Sequence, residues 1–127
     1  MTVGLATTNL ANNWLNMLRG TAFTAPAGTY IKLHTADPGA AGTSNPSAVT
    51  TRAQATFSAA SGGALALSNS PSFTMTATET ITHISVWDAS SAGNFLWSAA
   101  LTTSKSVVNT DTLTFTTLGV SLAPLAA

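Results

Sequence analysis

Hydrophobic residues recur with two different periods along this chain, and the period changes near residue 29. Before that point Leu10, Trp14, Met17 and Leu18 fall at helical spacing and form one apolar stripe, with Asn12, Asn13 and Asn16 mostly on the other side. Thr7, Thr8 and Asn9 offer N-cap side chains, and Gly20 after Arg19 offers a terminator with a cation at the helix C-terminus. A helix of about three turns does not hold in water alone, so its stripe is expected to dock. Thr21 to Gly28, with Pro26 and Gly28, reads as a connector.

From Thr29 onward the period is two. Ile31 and Leu33 share one face of Tyr30–Thr35. Ala36 to Thr50, broken by Asp37-Pro38-Gly39, Gly42 and Asn45-Pro46, is a long polar loop, and loops of that length in compact domains usually carry function or an interface. In Thr51–Ser58, Ala53, Ala55 and Phe57 oppose Arg52, Gln54 and Thr56; Ala64–Ser68 and a segment holding Phe73 and Met75 follow, separated by Ser61-Gly62-Gly63 and Asn69-Ser70-Pro71. Ile81–Trp87 is the strongest strand. Thr82, Ile84 and Val86 oppose Ile81, His83, Ser85 and Trp87, and two fairly apolar faces predict a central position. After a turn at Asp88–Gly93 the chain returns with Phe95, Trp97, Ala99 and Leu101 on one face. Ser104–Val108 and Thr112–Thr116 flank Asn109-Thr110-Asp111, which predicts a hairpin, and Leu118, Val120 and Leu122 alternate before Pro124. Some seven to nine short strands at spacings of roughly ten residues predict an all-β fold, an antiparallel β-sandwich of jelly-roll type with one short N-terminal helix. One domain is expected over 1–127, with helix and connector in 1–28 and the sandwich in 29–122.

Composition adds an unusual feature. Charged residues make up 6% of the 127, against about 25% in ordinary soluble domains, and the formal net charge is zero. Ala, Thr and Ser fill nearly half the chain, yet aromatic and β-branched residues spread along it exclude a disordered polar chain. A neutral, small-grained surface does not repel its own copies, so much of it is expected to meet other protein, in a homo-oligomer with a trimer favoured. Four scattered basic residues exclude a nucleic-acid binder. With no cysteine there is neither a disulfide framework nor a thiolate metal site. Met1 to Asn13 lacks a basic cluster and an apolar run of signal-peptide length, and no stretch is apolar enough to span a membrane; neither export by the usual route nor membrane insertion is expected.

Candidate chemistry is sparse. His34, Asp37, His83 and Asp88 would offer a carboxylate–imidazole metal site if their strands brought them together, but both aspartates read as turn residues and no metal is expected. No nucleophile elbow, paired acids or phosphate loop is evident; catalysis and cofactors are not expected. Trp14, Trp87 and Trp97 suit core packing, with Trp87 expected to be the most exposed and able to stack on a sugar. Partner contacts are expected at Trp14, Arg52, Trp87, Leu118, Val120 and Leu122, the last three in a C-terminal tail, Leu118 to Ala127, that is nearly uncharged and apolar.

Three segments carry a resemblance: Tyr30–Gly39 with its Leu-His-Thr-Ala-Asp-Pro-Gly, Arg52–Phe57, and Ile81–Ala89 with its Thr-His-x-x-x-Trp-Asp-Ala followed by Gly93-Asn94-Phe95-Leu96-Trp97. Together they resemble small tail-fibre-like or minor virion proteins of tailed bacteriophages, over roughly Tyr30 to Phe115. The resemblance implies a non-enzymatic component of the virion, assembled in the host cytoplasm, with the major capsid protein or tail proteins as partners. Compactness and the lack of fibre repeats make capsid decoration the first expectation; a tail fibre or minor tail protein binding host-surface glycans is the alternative.

Overall fold

The computed structural model describes residues 3–123 and 125–126. Nine strands form among these: β1 (Gly4–Leu5), β2 (Thr29–His34), β3 (Ala53–Ala55), β4 (Ala64–Ala66), β5 (Ser72–Thr74), β6 (Glu79–Trp87), β7 (Phe95–Val107), β8 (Thr112–Thr114) and β9 (Gly119–Ser121). A five-residue π turn (Thr7–Ala11) runs into the helix α1 (Asn12–Met17). One layer is a sheet of order β1-β7-β6-β2-β3, antiparallel at every pairing; β4–β9 and β5–β8 are separate two-stranded ribbons. The fold is therefore all-β and antiparallel with one short helix, a sandwich whose sheets stay open. Ile31, Leu33, Ile81, Ile84, Val86 and Trp97 of the large sheet form one buried cluster with Phe73, Met75 and Phe115. The partly buried Leu113, Leu118 and Val120 pack against it from the ribbon side.

The central position expected for 81–87 is found, with β6 between β2 and β7. Two register shifts change which side chains face the core. Ile81 opposes Lys105 but His83 opposes Ala100, and this break turns Ile81 inward beside Ile84 and Val86, while Thr82 is only half-buried. Val86 opposes Trp97 but Trp87 opposes Phe95, so Leu96 joins the core and Phe95 moves to the far face. An odd number of extra residues in one strand, three in β7 at the first shift and one at the second, reverses the alternation that a strict period of two requires.

The hairpin expected about Asn109-Thr110-Asp111 does not form. The turn exists, with Val108 N–H on Asp111 Oδ2 at 2.9 Å and Thr110 at φ +76°. Its arms part, however: Val107 stays with β6, whereas Leu113 pairs with Phe73 of β5. Met75 bonds both Thr110 N–H and Asp111 C=O, which carries the chain from one layer to the other. The same long strand β7 absorbs the two strands expected at 94–101 and 104–108.

The helix also differs from expectation at its ends. Thr7, Thr8 and Asn9 do not cap it; the cap position is Ala6, extended at ψ 122°, with Ala11 N–H reaching back to its carbonyl in the π turn. Ala6 is buried beside Trp87 and Phe95 and bonds Leu96 C=O at 2.7 Å, so tertiary anchoring fixes where the helix begins. Leu10 is buried and Trp14 packs on the core, but Met17 and Leu18 are exposed, Leu18 to 88%. The end is as expected: Gly20 at φ +86° sends its N–H to Met17 C=O while Thr21 N–H reaches Asn16 C=O, a pair of bonds that needs a left-handed residue.

Candidate functional site

The second face of the large sheet carries the residues that matter most here. It presents His34 from β2, Ser85 and Trp87 from β6, and Phe95 and Ser98 from β7, all buried. They are buried because two segments fold over them. The N-terminal strand and π turn cover one side, with Ala6 on Trp87 and Phe95, and Asn9 donating to Phe95 C=O at 3.0 Å. The loop 36–47 covers the other. Its Gly42 sits at φ +73° so close to Phe95 that a Cβ there would lie 2.5 Å from the ring, and Pro38 of the same loop is fully buried.

Local sequence shapes this loop. Asp37 Oδ1 accepts from Gly39 N–H at 2.8 Å, the turn expected of Asp-Pro-Gly. Asn45, at φ +51°, donates its side-chain amide to Asp37 C=O at 2.9 Å. The loop closes on Glu79, whose carboxylate accepts from Ser47 Oγ and from Ala48 N–H.

A directed chain of hydrogen bonds runs under the loop. His34 Nδ1 lies 2.8 Å from Ser44 C=O, which can only accept, so the proton sits on Nδ1. Nε2 then accepts from Ser85 Oγ at 2.7 Å, and Ser85 Oγ accepts from Trp87 Nε1 at 2.8 Å. Burial holds His34 below the ordinary histidine pKa; its bond to Ser44 opposes this, and the charges of Lys32 and His83 add to the depression.

Trp87 is the junction with a third group. Arg52 lies over its ring, Cζ 4.3 Å from the centroid, and donates from Nη1 to Ala89 C=O and Ala92 C=O at 2.7 Å each. Burial lowers the Arg52 pKa and Asp88 raises it, but a guanidinium stays charged throughout. Asp88 closes the same turn by accepting from Asn94 N–H at 2.7 Å and Asn94 Nδ2 at 2.9 Å. The segments that carry the resemblance thus meet in one place, where they fasten a loop and a turn to the sheet.

Trp87 is buried, which corrects the expectation that it would be the most exposed tryptophan. The bulge at Leu96 brings Phe95 against it at 5.6 Å, and Arg52 covers its face. His34, Asp37, His83 and Asp88 do not form one cluster: both nitrogens of His34 are engaged, His83 Nδ1 meets Thr82 Oγ1, and each aspartate closes its own turn. No group of three metal-ligating side chains occurs among the described residues. Of the remaining expected contact residues, Trp14, Leu118 and Val120 lie half-buried against the core, and Leu122 is 55% exposed. The tail folds back on β4, with Leu122 N–H on Gly63 C=O at 2.9 Å; Pro124 and Ala127 lie outside the described residues. Helical spacing sets Met17 and Leu18 on the docking stripe and leaves Leu15 off it, yet all three are exposed.

Residues 5–123 match the family model described as Podophage GP4 fiber I protein gp80. No curated protein matches the chain. With that match running from β1 to the tail, the chain belongs to this family of phage fibre proteins, and so to the structural proteins of the virion.

Proposed function

We propose that the chain is a non-enzymatic building block of the phage tail fibre, held in place by contacts with copies of itself and with neighbouring tail proteins. The observation that carries this reading is the match to a fibre family over residues 5–123. It favours a tail appendage over the capsid decoration that compactness alone recommended. The site chemistry agrees with a structural role: His34, Asp37, Asp88 and Arg52 each hold backbone or side-chain groups of the fold. Trp87 and Trp97 are buried and offer no face on which a sugar ring would stack, so receptor binding through these tryptophans is not part of the reading. Self-association is supported by an almost uncharged exterior that exposes Leu15, Met17, Leu18, Val108, Leu122 and Leu125.

Immunogold labelling of negatively stained particles tests the location. Gold on the tail is expected; gold spread over the head shell would select capsid decoration instead.

A further inference from the structure

We propose that the loop 36–47 is an acid-released lid, unfastened from the second face of the large sheet when His34 takes up a proton. The argument starts from the direction of the hydrogen-bond chain. With His34 neutral, every donor beneath the loop has one acceptor: Trp87 N–H to Ser85 Oγ, Ser85 O–H to His34 Nε2, His34 Nδ1–H to Ser44 C=O. A proton on Nε2 sets two hydrogens against each other between Nε2 and Ser85 Oγ. The hydroxyl must turn away, and among the described residues Ser85 Oγ bonds only His34 and Trp87. Ser85 and His34 are both 0% exposed, so neither water nor bulk dielectric relieves the mismatch.

The charges of Lys32, on β2, and His83, on β6, oppose an imidazolium at His34. The loop brings Asp37, whose Oδ1 accepts from Gly39 N–H. Arg52 and Asp88 lie across Trp87 and hold the 88–94 turn. The N-terminal segment and the first half of β7 bring Ala6, Phe95 and Ser98, none of them ionisable.

The way out for the charge is upward. The loop is tied at its base by Thr35 N–H to Asn45 C=O and Ser47 N–H to Leu33 C=O, and inside by Ser44 N–H to Pro38 C=O. Over the sheet it is held by the His34–Ser44 bond and by the packing of Gly42 on Phe95. Protonation strengthens the His34–Ser44 bond, so the drive to open comes from burial, the largest cause opposing the charge: lifting as a unit about its base lets water reach His34 and relieves it. Because the closed form holds the pKa below the ordinary value of 6.5, the closed loop is fully stabilised above that pH and loses stability as pH falls through it. Lifting takes Gly42 off the Phe95 ring, so acid would expose an apolar ring that the loop covers at neutral pH.

Hydrogen exchange of backbone and indole N–H groups of the full chain between pH 7.5 and 4.5, corrected for intrinsic rates, tests the lid. Protection of the Trp87 indole N–H, bonded to Ser85 Oγ in the chain under the loop, is expected to fall about tenfold per pKa unit of depression, with its midpoint below 6.5, whereas the Gly42 and Ser44 amides, bonded within the loop, keep theirs. His34→Gln should abolish the pH dependence, and His83→Gln should keep it. Unchanged Trp87 indole protection in the wild-type chain, or an equal loss in His34→Gln, would overturn the proposal. Should His34→Gln fail to fold, proton NMR of the wild-type imidazole decides. Loop resonances that move at the His34 midpoint support the lid; a midpoint at or above 6.5, or loop shifts that ignore it, refute it.

Discussion

Two tryptophans on opposite faces of one sheet show how single residues are used. Trp87 Nε1 feeds the His34 chain through Ser85, and its ring supports Arg52. Trp97 packs at 6.1 Å from Phe57 in the main core, and its Nε1 is buried without a partner among the described residues. A buried N–H without an acceptor costs about 1–3 kcal/mol, which offsets part of the gain from burying the indole. Trp97→Phe is therefore expected to change unfolding free energy by less than about 1.5 kcal/mol, as volume is lost but the orphan donor goes with it. Trp87→Phe removes a satisfied donor and part of the surface under Arg52, and about 1–3 kcal/mol of destabilisation is expected. Urea unfolding followed by circular dichroism measures both; a larger loss at Trp97 than at Trp87 would reverse the roles assigned here.

At the scale of elements, the helix divides its apolar stripe between core and exterior. Leu10 is 3% exposed within the core cluster, whereas Leu18 is 88% exposed. Leu10→Ala should cost about 2–5 kcal/mol, while Leu18→Ala should stay within about 0.5 kcal/mol of the parent in the isolated chain. Thermal melts of the two variants check the contrast. The stripe was legible because spacing at three and four residues specifies a helix face. Its division was not, since period alone does not tell how far the underlying sheet extends. Gly20 was legible as the terminator because a left-handed position selects glycine locally. The failed hairpin has the opposite lesson. Asn109-Thr110-Asp111 does turn the chain, but Met75 binds the turn from the other layer, and a local signal cannot report that.

For the molecule as a whole, the scarcity of charge is the leading fact. Four basic and four acidic residues leave little long-range repulsion between copies. Half of that inventory holds the chain's own fold: Arg52, Asp88, Glu79 and Asp111 all anchor turns or loops. On the reading proposed above, size-exclusion chromatography with light scattering should show a homo-oligomer, with a trimer favoured. Paired Leu15→Ser and Leu18→Ser changes should weaken assembly while the melting of the protomer is retained. A monomer that stays soluble at high concentration would count against the oligomer.

The sequence by itself determined the fold class, the central strand, the helix terminator and the turn chemistry of Asp37-Pro38-Gly39, because each depends on residues close together in the chain. It also brought the signature segments to notice, without showing that they meet. Tertiary structure alone decided that meeting, along with the burial of Trp87 and the splitting of the expected hairpin. For Trp87 the physical reason lies in the register shift that exchanges Phe95 and Leu96 between the two faces, and for the hairpin in the bonds that Met75 makes to the turn from the other layer. Both depend on pairing partners distant in sequence, and such partners leave no mark on the local pattern.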